Sequence, residues 1–462
     1  MRNVAKVLVW VLAVGVLSAQ GVRTVSLVVT NGTVVTMDGT GRVLPAAGVA
    51  VDGDRIVAVE TAADLARRFK GRQTINAAGG IIMPGLINTH THAPMVLYRG
   101  LADDLALMEW LEKYIFPAEA KTVSPAFVRT GTRLAALEMI ESGTTTFADM
   151  YYFESDIAKV TAEAGLRGVL GQTVIQFPVA DAKTPQEGLA RAEAFITEWA
   201  QHPLITPAVA PHALYTLDAA TLKAARALSL RHNVPMLIHM AETEAETATA
   251  KERGASSAVA YLDSLGVLGK GVVGAHGVWV SPADVAVLKA REVGIAHNPA
   301  SNMKLASGVA PVPGYLAAGI ALGLGTDGAA SSNDLDMFTA MRLAALLHKV
   351  ASKDPRVVPA RAAVGMATIG GARALGLDAV TGSLEVGKRA DLIVVGVDGA
   401  RQTPLFDPIS HLVYVANGAD VQHTVVNGRV LMRNRKVLSL NQASVLADAR
   451  AAARAVRAAV GR

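Results

Sequence analysis

The 462-residue chain contains no cysteine. Disulfides, thiolate nucleophiles and Cys-ligated zinc are excluded, so any metal must be held by imidazole and carboxylate groups. Aromatic residues are scarce, at 5 % of the chain, which leaves alanine, valine, leucine and glycine to fill most of the interior. Charge of one sign is also in short supply. The net charge of +5 is small for this length, and Lys and Arg are scattered rather than gathered into a stripe that could track a nucleic-acid backbone. No nucleic-acid partner is expected.

What is present begins at the N-terminus. "MRNVAK" carries two cations, "VLVWVLAVGVL" (7–17) is apolar throughout, and Ser18 and Ala19 follow. This is the layout of a secretory signal peptide over residues 1–20. The apolar run is shorter than the roughly 20 residues a membrane span needs. The expectation is an exported or periplasmic chain starting near Gln20, with no stable membrane span after processing. An uncleaved anchor, or a cytoplasmic chain, is the alternative, because Leu17 occupies a position where cleavage prefers a small residue.

Residues 22–83 have β texture. "VSLVVTNGTVVTMD" (25–38) reads as two short strands around Asn31-Gly32, and Asp52-Gly53 reads as a turn. From residue 84 to 379, apolar strand-like runs alternate with amphipathic helical text. Eight runs recur: "GLINTHTH" (85–92), "TTTFADM" (144–150), "RGVLGQTV" (167–174), "LITPAVAPH" (204–212), "PMLIHMAE" (235–242), "GVVGAHGV" (271–278), "VGIAHNP" (293–299) and "IALGLGTD" (320–327). Eight strand-then-helix repeats predict a (β/α)8 TIM barrel. An open doubly wound sheet is disfavoured, since no glycine-rich phosphate turn follows the first run. β texture returns over 380–440, and the simplest assembly joins both flanking segments into one small β-sandwich domain. An alanine-rich helix closes the chain over 441–462.

His90 and His92 lie two residues apart in the first run. Residues i and i+2 of a strand share a face, so both imidazoles point one way at the strand's C-terminal end, where this fold carries its active site. His239 ends the fifth run and Asp327 the eighth. Together they form a mixed N/O donor set for Zn²⁺, with Fe²⁺ or another divalent ion suiting the same groups. Glu242, His276 and His212 converge on the same rim. They either orient the ligands or supply the proton transfers of a hydrolytic site. His297 ends the seventh run and either touches substrate or shapes the rim. His202, His232, His348, His411 and His423 carry no expected role.

"MPGLINTHTH", "HMAETEAE", "AHNPASNMKLASG", "GLGTDGAASSND" and "GSLEVGKRADLIV" resemble the amidohydrolase superfamily. The likeness is narrower to the branch of 5-methylthioadenosine/S-adenosylhomocysteine deaminases and triazine hydrolases, over residues from about 25 to 435. The stretch "LYRGLADDLALMEWLEKYIFPAEAK" (97–121) looks like the deaminase form of the loop after the first strand. The resemblance implies metal ligands at His90, His92, His239 and Asp327, and an acid, Glu242, that protonates a ring nitrogen. It implies that His276 stands beside the attacking water, with Asp327 sharing its proton. It also implies that Glu119 binds ribose hydroxyls and that His212 makes a further substrate contact. No lysine stands in the third or fourth run, where dinuclear relatives carry a bridging one, so one ion per chain is expected.

The implied activity is metal-dependent hydrolytic deamination of an adenine nucleoside: 5′-methylthioadenosine, adenosine or S-adenosylhomocysteine. The partner is then a small nucleoside or purine-like molecule, and a homo-oligomer remains compatible with the pattern. The alternatives are a triazine-type chlorohydrolase, a guanine or cytosine deaminase or, more remotely, a non-catalytic exported scaffold. Relatives that accept S-adenosylhomocysteine carry an arginine in the loop after the third strand. Residues 168–190 contain none, which favours 5′-methylthioadenosine or adenosine.

Overall fold

The computed structural model describes residues 21–461; the expected leader, residues 1–20, lies outside the described residues. The chain opens with five strands, β1 (Arg23–Val35), β2 (Val43–Asp52), β3 (Arg55–Thr61), β4 (Phe69–Asn76) and β5 (Ile81–Pro84). Eight parallel strands then close into a barrel: β6 (Leu86–Thr91), β7 (Thr144–Tyr151), β8 (Arg167–Val174), β9 (Ile205–Pro211), β10 (Met236–Met240), β11 (Val272–His276), β12 (Gly294–His297) and β13 (Leu322–Leu324). Each of the eight expected runs supplies one barrel strand. Every residue of β7 and β8 is buried, as it must be in a parallel sheet covered on both faces.

The intervening helices begin where the sequence offers caps. Ser124 accepts from the Phe127 N–H, Thr184 from Glu187 and Asp218 from Thr221. The helix Pro125–Ser142 ends at Gly143, whose φ of 87° suits glycine alone among common residues. A Cβ there would also press 2.9 Å from Ile393 Cδ1, so the helix end and the second domain touch without a side chain between them.

That second domain unites both chain ends. β5 pairs antiparallel with β14 (Leu392–Val395), which continues through β15 (Val421–Val426), β16 (Arg429–Arg433) and β17 (Lys436–Val437). The hydrogen bonding runs through one nine-stranded sheet. It curls so that β3 returns to the segment before β14: the Ile56 N–H donates to Lys388 O at 3.0 Å, and the Gly387 N–H to Ile56 O at 2.9 Å. Val29, Val49, Ile82, Leu392 and Val425 meet in the apolar interior between its two halves.

One local expectation fails. Residues 25–38 do not form a hairpin at Asn31-Gly32. β1 runs through both residues, with Asn31 at φ 62° and register shifts on either side of Gly32. The left-handed residue that could have made a turn makes a bulge instead. It lets the first half of β1 pair with β4 and the second half with β5. Asn427-Gly428 is the genuine two-residue turn, with φ of 50° and 76°.

The domains are fastened by a buried Arg167–Asp391 pair, Nε to Oδ2 at 3.0 Å. The terminal helix Gln442–Val460 packs on the barrel's first connection, where Lys121 Nζ donates to Ala459 O at 3.2 Å. No helix among the described residues is long and apolar enough to cross a membrane.

Candidate active site

The C-terminal mouth of the barrel gathers the titratable groups. Asp327 Oδ1 lies 3.3 Å from both His90 Nε2 and His92 Nε2, and His92 Nε2 lies 3.3 Å from His239 Nε2. Each Nδ1 seen on this side is already spent: His92 Nδ1 on Met150 O at 2.7 Å and His239 Nδ1 on His212 O at 2.9 Å. A ring that donates from Nδ1 presents a lone pair at Nε2, so the imidazoles aim acceptors at one another. His90 Nε2 is buried with no hydrogen-bond partner.

Such a cluster demands positive charge. Burial lowers the His92 pKa, but the neighbouring Asp327 and Asp149 carboxylates outweigh it and raise the ring to about 9. Burial likewise pushes the Asp327 carboxyl up, yet the His90 and His92 rings hold it well below the usual range. A field that pulls a proton in also favours a divalent cation, and the donors fit one. The candidate ligand groups His90–His92–Asp327 and His90–His239–His276 share His90, so among the described residues they mark a single site.

The frame behind these groups is rigid. Ala241, His276 and Asp327, just past or at the ends of β10, β11 and β13, have φ of 52°, 73° and 63°, a left-handed backbone that non-glycine residues adopt only when held. Asp327 Oδ2 accepts from Ser301 Oγ at 2.7 Å and Ser331 Oγ at 2.8 Å. Asp149 Oδ1 accepts from Thr91 Oγ1 at 2.7 Å and from the Ala93 N–H, which fixes the turn carrying His92. Glu246 caps the N–H groups of Ala241 and Glu242 at 3.0 and 2.7 Å. None of these orienting residues is singled out by sequence reasoning. Glu246 alone had a local signal, the acidic repeat in "HMAETEAE".

Glu242 and His276 come together beside the cluster, with Oε2 3.8 Å from Nε2. Burial raises the Glu242 carboxyl, so it retains a proton into the pH range where an exposed glutamate has lost it. His212 lines the same cavity, its Nδ1 3.0 Å from Thr216 Oγ1, and burial lowers its pKa to about 3. His297 does not face this cavity. Its Nε2 lies 3.1 Å from His348 Nε2 on the helix Met337–Ser352, behind the strand, which removes the option of substrate contact.

The opposite wall comes from residues 107–122, a helix interrupted by a π segment at Leu111–Ile115. Leu107, Leu111, Ile115 and Glu119 all line the cavity at a spacing of four. In a pure α-helix each step of four overshoots a turn by about 40°, so three steps would swing Glu119 by about 120°. The π segment holds more residues per turn and cancels much of that drift. Glu119 is buried and accepts from Tyr151 Oη at 2.6 Å; burial raises its carboxyl to about 7, opposed by Tyr151 and His92.

The cavity encloses only about 60 Å³ of free space. Lys304 clips three different strand connections together by bonding to Asp103 and Asn333. A second cavity of about 330 Å³ shares the Phe116–Glu119–Tyr152 wall and continues along Phe177, Pro178, Val179 and Ala180.

Comparisons with known proteins agree with this geometry. The amidohydrolase family model matches residues 81–431. A 5-methylthioadenosine/S-adenosylhomocysteine deaminase of Syntrophobacter fumaroxidans is 46 % identical over 93 % of this chain and 98 % of its own. A 5′-deoxyadenosine deaminase of Methanococcoides burtonii is 44 % identical over 92 % of this chain and 97 % of its own. The crystal structure of an adenosine deaminase from Xanthomonas campestris with bound zinc superposes with a TM-score of 0.93 at 38 % identity, over 95 % of this chain and all of the other.

Proposed function

The chain belongs to the amidohydrolase family, and from that premise we propose that it is a hydrolytic deaminase of adenine nucleosides, yielding the inosine analogue and ammonia. The observation that carries this reading is Glu119. A buried carboxylate, oriented by Tyr151, stands on the wall facing the imidazole cluster, where sugar hydroxyls would meet it. A triazine, guanine or cytosine would offer it no sugar hydroxyl and leave Tyr151 its one partner.

His90, His92, His239 and Asp327 would hold one divalent ion, which we read as Zn²⁺. Such an ion, when bound, lowers the pKa of water from 15.7 to about 7. The chain's own groups then divide the proton traffic. Asp327 and His276 take a proton from the water that adds to C6 of the adenine. Glu242, whose carboxyl burial raises, gives its proton to the adjacent ring nitrogen. The proton taken from water passes to the amino group, the C6–N bond breaks as the hydroxyl oxygen becomes the C6 carbonyl and returns its proton to Glu242, and ammonia leaves.

Substrate choice within the class follows from the second cavity. Its walls beyond Glu119 are apolar, and neither Lys183 nor Arg191 lines it; both are exposed. A carboxylate at the far end of the substrate finds no guanidinium there, a charge-assisted bond that would contribute roughly 1.5–3 kcal/mol. 5′-Methylthioadenosine or adenosine is therefore preferred over S-adenosylhomocysteine. Ammonia release from adenosine, 5′-methylthioadenosine, 5′-deoxyadenosine, S-adenosylhomocysteine, guanine and cytosine tests both levels. Faster turnover of the free bases rejects the nucleoside reading, and a kcat/KM ratio of methylthioadenosine to S-adenosylhomocysteine at or below one rejects the preference. The charge and apolar pattern of residues 1–20 supports export, and N-terminal sequencing from the native cell decides it: an intact Met1 in a cytoplasmic fraction refutes it.

A further inference from the structure

His276 makes one ring hydrogen bond, from Nδ1 to Asn302 Oδ1 at 2.8 Å. The partner is buried, 1 % exposed, on the short helix Pro299–Lys304 that follows β12. Asn302 is itself fixed at both backbone ends. Its N–H donates to Asn298 O at 3.0 Å, and its carbonyl accepts from the Ser307 N–H at 2.9 Å. His276 is fixed as firmly, with φ at 73°, the Gly277 N–H bonded to Met240 O at 3.0 Å and Tyr315 Oη donating to Gly277 O at 2.6 Å. Both backbones are thus held, and the Asn302 amide nitrogen is buried with no hydrogen-bond partner of its own.

An amide oxygen only accepts, so this bond requires the imidazole proton on Nδ1. Nε2, which lies 3.8 Å from Glu242 Oε2, then carries the lone pair. The tautomer of a neutral imidazole is set by the bond its other nitrogen makes, and a free ring prefers its proton on Nε2. Without Asn302, the nitrogen that faces the reaction would carry a proton and could not take one.

We propose that Asn302 is a positioning residue of the reaction: its side-chain oxygen locks His276 in the Nδ1–H tautomer and keeps Nε2 free to accept a proton. This rests on the deaminase reading above. The inference concerns one acceptor oxygen, so it separates from packing by substitution. Asn302→Leu keeps the branched shape and removes the acceptor; Asn302→Asp keeps an acceptor and removes the amide nitrogen.

The test uses the full zinc-loaded chain. For Asn302→Leu the expected result is a kcat lowered about 10- to 100-fold, the scale of losses when an orienting partner is removed, with KM and zinc content unchanged. Asn302→Asp should recover activity to within a few-fold of the parent. ¹⁵N NMR of histidine-labelled protein, with the His276 signals identified by their loss in His276→Gln, reads the tautomer without relying on turnover. Protonated Nδ1 is expected in the parent and in Asn302→Asp, and protonated Nε2 in Asn302→Leu. Near-parental kcat in the leucine variant, equal damage in both variants, or an unchanged tautomer in Asn302→Leu overturns the proposal. A parent that shows the Nδ1–H tautomer but deaminates no nucleoside overturns the functional reading and leaves the tautomer assignment standing.

Discussion

The two walls of the active cavity are built by different means. On one side, His92, His239, His276 and Asp327 stand at or just past the ends of barrel strands, and their rings and carboxylate are tied to backbone carbonyls, serines or an amide. On the other, Leu107, Leu111, Ile115 and Glu119 ride on one interrupted helix, and Glu119 has a single side-chain bond. A strand end held by its neighbours on both sides gives fixed geometry, which bond-making needs. A connection helix can change without disturbing the barrel. On the proposed reading, the contrast places chemistry on the first wall and choice of substrate on the second.

Substitutions can break or sharpen that division. The largest effect belongs to the strand-end wall. His239→Ala with Asp327→Ala should remove bound metal and turnover together, read by elemental analysis and ammonia release. Metal retained in that double variant would move the site elsewhere. Glu242→Gln should keep the metal and lower kcat by about 10²-fold or more, the scale of general acid help.

Glu119→Gln should instead spare kcat and raise KM for nucleosides by about 10- to 150-fold, the loss of a charge-assisted hydrogen bond. Its pH signature sharpens the comparison further. The Glu119 carboxyl titrates near 7, so the parent should bind nucleosides less tightly as pH falls through that value, and the glutamine variant should lose the inflection. A fall in kcat without a change in KM would place Glu119 on the chemical wall.

The smallest effect lies outside both walls. Glu154 is fully buried and neither of its carboxylate oxygens has a partner, so burial holds its carboxyl well above the usual range. A carboxyl raised on folding contributes stability that is full at low pH and lost as pH rises through its folded value. Glu154→Gln should therefore leave Tm near that of the parent at pH 5 and raise it by roughly 2–4 °C at pH 9. An equal Tm at both pH values would mean that the group has found a partner.

The barrel was legible because parallel strands buried on both faces must be short apolar runs, and eight of them recur between residues 85 and 327. His90 and His92 were legible because a period of two puts both on one face. The orienting residues were not. Ser301, Asn302 and Asp149 are common polar residues whose roles arise from contacts across 26 to 58 positions of sequence. The π segment was equally hidden, since one residue too many in a helix leaves no compositional mark. Asn31-Gly32 misled for the opposite reason: its local preference for a left-handed backbone is real, and tertiary pairing used it as a bulge.

The small free space beside the imidazole cluster has a consequence for the order of events in a cycle. Space of about 60 Å³ accommodates ammonia or a few waters, whereas ligand-sized pockets begin at about 300 Å³. Lys304, bonded to Asp103 and Asn333, ties together three connections beyond the strand ends, and a molecule as small as ammonia needs less movement of them than a purine nucleoside does. The expected order is therefore ammonia first and the nucleoside last. Steady-state kinetics would show it as competitive inhibition by the inosine analogue and noncompetitive inhibition by ammonia, and freeing the clip with Lys304→Ala should speed the final departure.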